Sequence, residues 1–201
     1  MQPPDRHNQG SVPNDSPGVS HWQPSGVVTS MWVSLAIALG ALGLFGFGLA
    51  YTLIGAAPPD NSELVFNWWI VAGLSLVILA IHQLVHAATA RLAGNEPSIE
   101  LDVIQWVFPV MYVRVTGQYF SRSTFLLYAL TPLLLLSLVG ILAMIVDHRS
   151  VMLIIPLAIN SSLSTRDLWM AWVVWKLPRE SMVQMQRDGL TLISSDPDQD
   201  V

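Results

Sequence analysis

The sequence contains no cysteine, which excludes disulfides, thiolate metal ligands and zinc ribbons. Any metal ion must therefore be held by histidine, aspartate, glutamate or their amide counterparts. Charged residues are also scarce: they make up 11% of the 201 residues, and Lys176 is the one lysine in the sequence. With a formal charge of −5 and no basic stripe, the chain cannot neutralise phosphates, so we expect no nucleic-acid partner.

Apolar residues, in contrast, make up 52% of the chain, and the mean hydropathy is +0.50. Both values exceed those of an ordinary soluble domain. About 20 helical residues are needed to cross a hydrocarbon core of about 30 Å. Four apolar stretches are long enough, at residues 28–55, 66–93, 124–146 and 151–177. The sequence therefore predicts an integral membrane protein with about four transmembrane helices, surrounded by the lipid bilayer.

Polar segments flank the predicted membrane domain of residues 28–177. Residues 1–27 are rich in proline, glycine, serine and asparagine and lack the basic start of a signal peptide, so they are predicted to be a disordered tail. Residues 178–201 are predicted to be an acidic cytoplasmic tail. Arginine and lysine are concentrated after the second and fourth predicted helices. The positive-inside rule then predicts that both termini are cytoplasmic.

The segment between the second and third helices, Ser98–Thr116, alternates apolar and polar residues and is interrupted at Pro109. This alternation predicts two short strands that form a β-hairpin on the cytoplasmic face. The predicted fold class is therefore an all-α membrane protein with a short β-hairpin. An edge strand of the hairpin could pair with an extended peptide, and a purely structural role is the alternative.

Glycines and prolines predict how the helices pack. Gly40, Gly43 and Gly46 form a small surface on the first helix, which predicts the close approach of another helix. Pro132 and Pro156 are expected to kink the third and fourth helices, because proline removes a backbone donor.

His82 and His86 are separated by one turn of the second predicted helix. Four residues advance a helix by about 400°, so both imidazoles point the same way, with Cβ atoms about 6 Å apart. Zinc proteases hold their metal with this spacing, although Gln83 stands where those enzymes have a glutamate. Two ionisable side chains on one face of a membrane span are costly, which favours a metal site. Hydrogen bonding of the histidines to the third helix or to trapped water, and a proton relay in a transporter, are alternatives.

A catalytic zinc site needs a third protein ligand and keeps its fourth position open. Asp167 is the one acidic residue within the four predicted spans. It lies about 17 residues into the fourth span, and His82 lies about 16 residues into the second span from the same side, so their depths match at 1.5 Å per residue. Asn160 shares the face of the helix that carries Asp167. A salt bridge of Asp167 with Arg166 or Arg91 is the alternative role.

Three separated motifs resemble those of a family of small integral-membrane proteins known as putative zincin peptidases. That family is itself similar in outline to the site-two intramembrane metalloproteases. The resemblance extends from about residue 66 to residue 189, which is most of the chain. The motifs are His82–His86, Tyr128–Leu134 and Asn160–Met170.

This resemblance implies a role for each residue of the candidate site. His82 and His86 become zinc ligands, with one zinc ion per chain, and Asp167 becomes the third ligand. Asn160 becomes a contact for the substrate or for one of the metal ligands. The implied substrate is a transmembrane or extended peptide.

Gln83 occupies the position of that family's general base, and Ala87 stands where a glycine commonly follows the second histidine. A carboxylate takes a proton from the attacking water, whereas a carboxamide can only orient it, and loss of such a base typically slows a reaction by about 10²- to 10⁴-fold. Glu96, Glu100 and Asp102 are candidate replacement bases. We therefore predict a zincin-like metallopeptidase of reduced or lost activity, or an inactive substrate-binding or regulatory protein. A transporter or proton-relay protein is the remaining alternative.

Overall fold

The computed structural model describes residues 19–22, 25–54, 67–104, 108–115, 119–186 and 189–193. This part of the chain forms five α-helices, one 3-10 helix at His148–Leu153, and six strands. The α-helices are α1 (Gly26–Leu53), α2 (Trp68–Leu92), α3 (Arg122–Val146), α4 (Ile154–Leu163) and α5 (Thr165–Trp175). The strands are β1 (Val19–Trp22), β2 (Pro97–Ile104), β3 (Phe108–Val115), β4 (Tyr119–Ser121), β5 (Met182–Gln186) and β6 (Gly189–Ile193).

The helix that carries the histidine pair, α2, has well-defined ends. It begins after Asn67, whose side chain accepts a hydrogen bond from the Trp69 N–H at 3.0 Å. It ends where Gly94 adopts a left-handed conformation, with φ of +82°, and the Asn95 N–H donates to the Ala90 carbonyl at 3.0 Å. At 1.5 Å per residue α2 is about 37 Å long, so the histidines lie in its central part.

Three helices, α1, α2 and α3, are long and apolar enough to cross a membrane, with 28, 25 and 25 residues. Large apolar side chains remain exposed along them: Trp69 is 87% exposed, Ile37 69% and Leu127 63%. A continuous apolar surface of this kind is unfavourable in water and is typical of contact with lipid. The chain is therefore a membrane protein.

The fourth predicted helix, residues 151–177, is not continuous. It is divided into α4, with 10 residues, and α5, with 11 residues, which meet at Ser164. The Ser164 hydroxyl donates to the Asn160 carbonyl at 2.9 Å, a local bond that competes with regular helix geometry. Neither helix has the length of a span, so the described residues contain three helices of spanning length where the sequence predicted four. Pro156 lies in the first turn of α4, where the backbone N–H has no partner within the helix and a proline therefore does not kink it. Pro132 lies inside α3, as predicted.

A four-stranded antiparallel sheet with the order β1-β6-β5-β4 lies at one end of the helical bundle. Its strands precede α1, precede α3 and follow α5, so these three helix ends lie at the same end of the molecule. The consecutive segments α4 and α5 thus return the chain to the end where α3 begins. Inside the sheet, Phe120, Val183, Leu190 and Leu192 are buried and belong to one core cluster with Phe125 of α3.

This sheet corrects the predicted all-α class. Strand β1 lies in residues 1–27, and β5 and β6 lie in residues 178–201, two segments that were predicted to be tails. Gly189–Leu192 is buried at every position, including Thr191, so its positions do not alternate between buried and exposed as those of a half-buried strand do. It pairs on one side with β5, the preceding strand, and on the other with β1, which is distant in sequence. The remaining parts of both segments lie outside the described residues.

The predicted hairpin is present. Strands β2 and β3 pair in antiparallel register from Pro97 opposite Val115 to Ile104 opposite Phe108. They form a separate two-stranded sheet that follows the end of α2. The cytoplasmic location of the hairpin stays a prediction.

The glycine surface of α1 packs against α4. A Cβ atom added at Gly43 would lie 3.1 Å from the Ala158 Cα atom and 3.1 Å from the Ser161 Oγ atom. The predicted close approach of a second helix is therefore confirmed at Gly43. It is wrong for Gly46, where an added Cβ would meet no described atom within 4 Å.

Two buried apolar clusters hold the helices together. One lies toward the sheet and includes Ala90, Tyr128 and Met170. The other joins the far ends of α1 and α3 to the start of α4. It consists of Phe47, Tyr51, Met144 and Leu157. Because Leu157 precedes Asn160 and Met170 follows Asp167 along the chain, the polar candidate site lies between the two clusters.

Candidate metal centre

The structure brings together the three residues that were predicted as metal ligands. The Oδ2 atom of Asp167 lies 3.3 Å from the Nε2 atom of His82 and 3.3 Å from the Nε2 atom of His86. One ligand atom from each residue lies within 4.8 Å of the others. The histidines are 3% and 4% exposed, and the Asp167 side chain is 13% exposed, so water has little access to the cluster. Among the described residues, Asp167 forms its ion-pair contacts with the histidines and with neither Arg166 nor Arg91.

The positions of these residues follow from the helices that carry them. His82 and His86 are one turn apart on α2, and their ring centroids are 4.9 Å apart. Asn160 lies on α4 and Asp167 on α5, on opposite sides of the break at Ser164. Both reach the same face of α2, as their shared helical face and matching depth predicted.

Asn160 orients the His82 ring. The His82 Nδ1–H donates to the Asn160 Oδ1 atom at 2.8 Å, and Asn160 is only 1% exposed. A hydrogen bond at Nδ1 fixes the tautomer of a neutral imidazole and leaves the Nε2 atom with a free lone pair. The Nε2 lone pair of His82 therefore points toward Asp167.

The backbone of α3 orients the His86 ring in the same way. The His86 Nδ1 atom lies 3.1 Å from the Tyr128 carbonyl oxygen, which can only accept, so Nδ1 must carry the hydrogen. The Tyr128 ring also packs against the imidazole, with 4.6 Å between ring centroids. Hydrogen bonding of the histidines to the third helix was one of the alternatives, but the acceptor was not predicted, because any residue type can supply a main-chain carbonyl and the sequence therefore carries no signal for that atom. The Tyr128–Leu134 motif indicated the region of the contact but not its atom.

The resulting site brings three hydrogen-bond acceptor groups together. Both Nε2 atoms offer lone pairs, and an ionised carboxylate accepts but cannot donate. Three such atoms in a buried cluster repel one another unless a cation or an added proton lies between them. Zinc bonds of about 2.0–2.1 Å in a tetrahedral site place neighbouring ligand atoms about 3.3 Å apart. The 3.3 Å distances from Asp167 Oδ2 to the two Nε2 atoms match this value, and one ligand atom from each of the three residues lies within 4.8 Å of the others. The donor set therefore fits zinc in type, and the carboxylate fits it in its distance from each histidine.

The structure also places Gln83 and Glu96, the residues that concern the general base. Gln83 follows His82 on α2 and is half-buried. Glu96, proposed above as a replacement, is exposed beyond the end of α2, whose last residue, Leu92, is itself about 9 Å along the helix axis from His86 at 1.5 Å per residue. The side chains of Glu100 and Asp102 lie outside the described residues.

Comparison with known proteins agrees with the geometry. The family described as "Putative zincin peptidase" matches residues 75–182, which is more than half of the chain. The matched region includes the histidine pair, all of α3, Asn160 and Asp167. No curated protein and no solved structure matches the chain. The family supports a metallopeptidase-like function, and its match confirms the resemblance noted in the three sequence motifs. The chain belongs to the putative zincin peptidase family.

Proposed function

We propose that this protein is a membrane-embedded zincin-like metallopeptidase in which His82, His86 and Asp167 hold one zinc ion. The observation that supports the proposal most strongly is the convergence of three buried acceptor atoms. Asn160 and Tyr128 each occupy a histidine Nδ1 atom, which leaves both Nε2 atoms directed at Asp167. Ligating histidines in metalloproteins are oriented by hydrogen bonds of this kind.

Zinc, when bound, acts as a Lewis acid that polarises the carbonyl of a peptide bond. The chain's own residues supply the orientation. Asn160 uses its Oδ1 atom to hold His82, while its Nδ2 atom is buried and has no hydrogen-bond partner among the described residues. An unpaired buried donor is costly, so this amide group is suited to donate to a carbonyl oxygen of a bound peptide. Asn160 would thus contact a metal ligand and the substrate at the same time.

Gln83 limits the chemistry that this site can perform. Its carboxamide can orient a water molecule by hydrogen bonding but cannot take up a proton at neutral pH. We therefore infer a peptidase of reduced activity, or a protein that binds peptides in the site without cleaving them. Both possibilities share the zinc site, and they differ in whether the wild-type protein cleaves a peptide that it binds.

The orientation in the membrane also belongs to this proposal. Arg91, Arg122 and Lys176 lie at the ends of α2, α3 and α5 that face the four-stranded sheet. An excess of basic residues at one end supports a cytoplasmic location for that end, and hence for both termini and the hairpin. The histidines in the central part of α2 would then contact a transmembrane or extended peptide within the bilayer.

Metal analysis of the purified protein tests the zinc site. We expect about one zinc ion per chain after purification without chelators, and loss of the metal in His82→Ala, because a tetrahedral site cannot lose one of three protein ligands without a large loss of affinity. His21→Ala is the matched control, because His21 is an exposed histidine that contacts Thr191 in the sheet. Wild-type protein without metal, or a His82→Ala variant with full zinc content, would overturn the proposal.

A further inference from the structure

Arg166 carries an exposed positive charge and is the chain neighbour of Asp167 in the candidate metal centre. It directly precedes Asp167 in the first turn of α5, and its side chain is exposed. No ion pair joins it to a carboxylate of the described residues. Arg122 differs in having contacts of its own. Arg122 donates to the Trp175 carbonyl at 2.7 Å and lies 5.4 Å from the centroid of the Trp175 ring, so its contacts are with the protein.

The depth of Arg166 makes this exposure informative. At 1.5 Å per residue, His82 and His86 lie about 3 Å and 9 Å beyond the midpoint of α2. Asp167 contacts both histidines, and Arg166 is its neighbour, so Arg166 lies at a similar depth. The half-thickness of the hydrocarbon core is about 15 Å. When α2 spans the membrane, Arg166 is therefore within the hydrocarbon region, where arginine faces water or an anion rather than lipid.

The charges of the site favour an anion. With neutral imidazoles, a zinc ion and the Asp167 carboxylate leave a net positive charge, and Arg166 increases it by one. A glutamate at position 83 would offset that charge, but Gln83 is neutral. Arginine is also the residue best suited to hold a carboxylate, because its planar guanidinium can donate two parallel hydrogen bonds.

We propose that Arg166 binds a carboxylate of the substrate beside the metal centre. This inference rests on the proposed function and narrows its substrate class to peptides that place a carboxylate next to the site. The carboxylate has two chemical sources, the free C-terminus of a peptide and an acidic side chain within it. The guanidinium can hold either one.

Equilibrium binding of labelled peptides to the zinc-loaded full-length protein in lipid nanodiscs tests this proposal. The first pair of probes is one short apolar peptide with either a free C-terminal carboxylate or a C-terminal amide. The second pair is amide-ended and carries either an internal glutamate or an internal glutamine. Variants are Arg166→Gln and Arg166→Lys, with Arg91→Gln as the control, because Arg91 is also an exposed arginine but lies in the last turn of α2. Zinc content is measured for every sample.

We expect the wild type to bind the carboxylate member of at least one pair about tenfold more tightly than its neutral partner, as for a hydrogen bond to a charged group. The pair that shows the preference identifies the source of the carboxylate. Arg166→Gln should reduce the preference to near unity with zinc content unchanged, and Arg91→Gln should retain it. Arg166→Lys should keep part of it, and this variant decides the question if Arg166→Gln does not fold.

Two results would overturn the assignment of Arg166. One is equal wild-type affinity for both members of both pairs. The other is a preference that survives Arg166→Gln but disappears when the metal is stripped, because the carboxylate would then bind the metal. If the wild-type protein lacks zinc but its preference still depends on Arg166, the zinc site is contradicted and the carboxylate site at Arg166 is supported.

Discussion

Replacement of Asn160 by alanine tests how the metal centre is oriented. The change removes the acceptor of the His82 Nδ1–H, a hydrogen bond of 2.8 Å between two residues that are 3% and 1% exposed. Because the site is buried, water has little room to replace the lost acceptor. His82 would then carry an unpaired buried donor, and its ring would be free to rotate away from Asp167.

The expected magnitude follows from this geometry. An unpaired buried donor costs about 1–3 kcal/mol, and about 1.4 kcal/mol corresponds to a tenfold change in an equilibrium constant. Loss of a partner that orients a metal-bound histidine typically weakens metal binding by about 10- to 100-fold. Both estimates agree, so we expect Asn160→Ala to weaken zinc binding by about 10- to 100-fold.

A competition titration against a chromogenic zinc chelator measures this affinity in detergent or nanodiscs. Asn160→Asp is the informative second variant, because its carboxylate keeps the acceptor, and we expect zinc affinity at or above that of the wild type. Ser161→Ala is the matched control, since the Ser161 hydroxyl donates to the Leu157 carbonyl within its own helix at 3.1 Å. Wild-type zinc affinity in Asn160→Ala would refute the reasoning, and so would equal losses in the alanine and aspartate variants.

Three further predictions concern the chemistry and the fold. Gln83→Glu should raise cleavage of a peptide that the wild type binds by about 100-fold or more, because it restores a proton acceptor beside His82, as measured by single-turnover assays. Leu192→Ala should destabilise the protein by about 2–5 kcal/mol in thermal unfolding, because Leu192 is 2% exposed. Gly140→Ala should cost about 1–3 kcal/mol in the same assay, because its new Cβ would overlap the buried Leu157 side chain.

Each of these changes has a control in the chain. Gln184→Glu adds the same carboxylate to β5 in the sheet and should leave cleavage unchanged. Met182→Ala alters a side chain that is 38% exposed and should cost less than Leu192→Ala. Gly46→Ala meets no described neighbour within 4 Å and should be tolerated, since alanine favours helix. If the Gln83→Glu variant binds zinc and substrate but remains inactive, the protein is a peptide-binding protein and not a peptidase. Wild-type stability of the two destabilising variants would contradict the packing argument.

Local patterns in the sequence predicted much of the fold and part of the site. The apolar run around His82 and His86 gave the position of α2, and the spacing of four residues placed both rings on one face. Alternation in Ser98–Thr116 predicted the hairpin of β2 and β3. These features depend on residues that are close together in the chain, so the order of residue types is enough to predict them.

Other features were decided by contacts between residues far apart in the chain. The Tyr128 carbonyl orients His86 because of how α3 packs against α2, and a backbone acceptor has no residue signature. Strand β1 pairs with the distant β6, and β4 pairs with the distant β5, over a core that the four strands share with the helices.

The sequence by itself determined the donor types and the shared face of the histidine pair. It also offered Asp167 at a matching depth, while leaving a salt bridge with Arg166 or Arg91 open as an alternative. Only the packing of α5 against α3 and of α4 against α2 directed the Asp167 carboxylate at both Nε2 atoms, since depth along a helix does not specify which neighbour the helix faces. The tertiary structure therefore decided that the Asp167 carboxylate contacts the two histidines rather than an arginine.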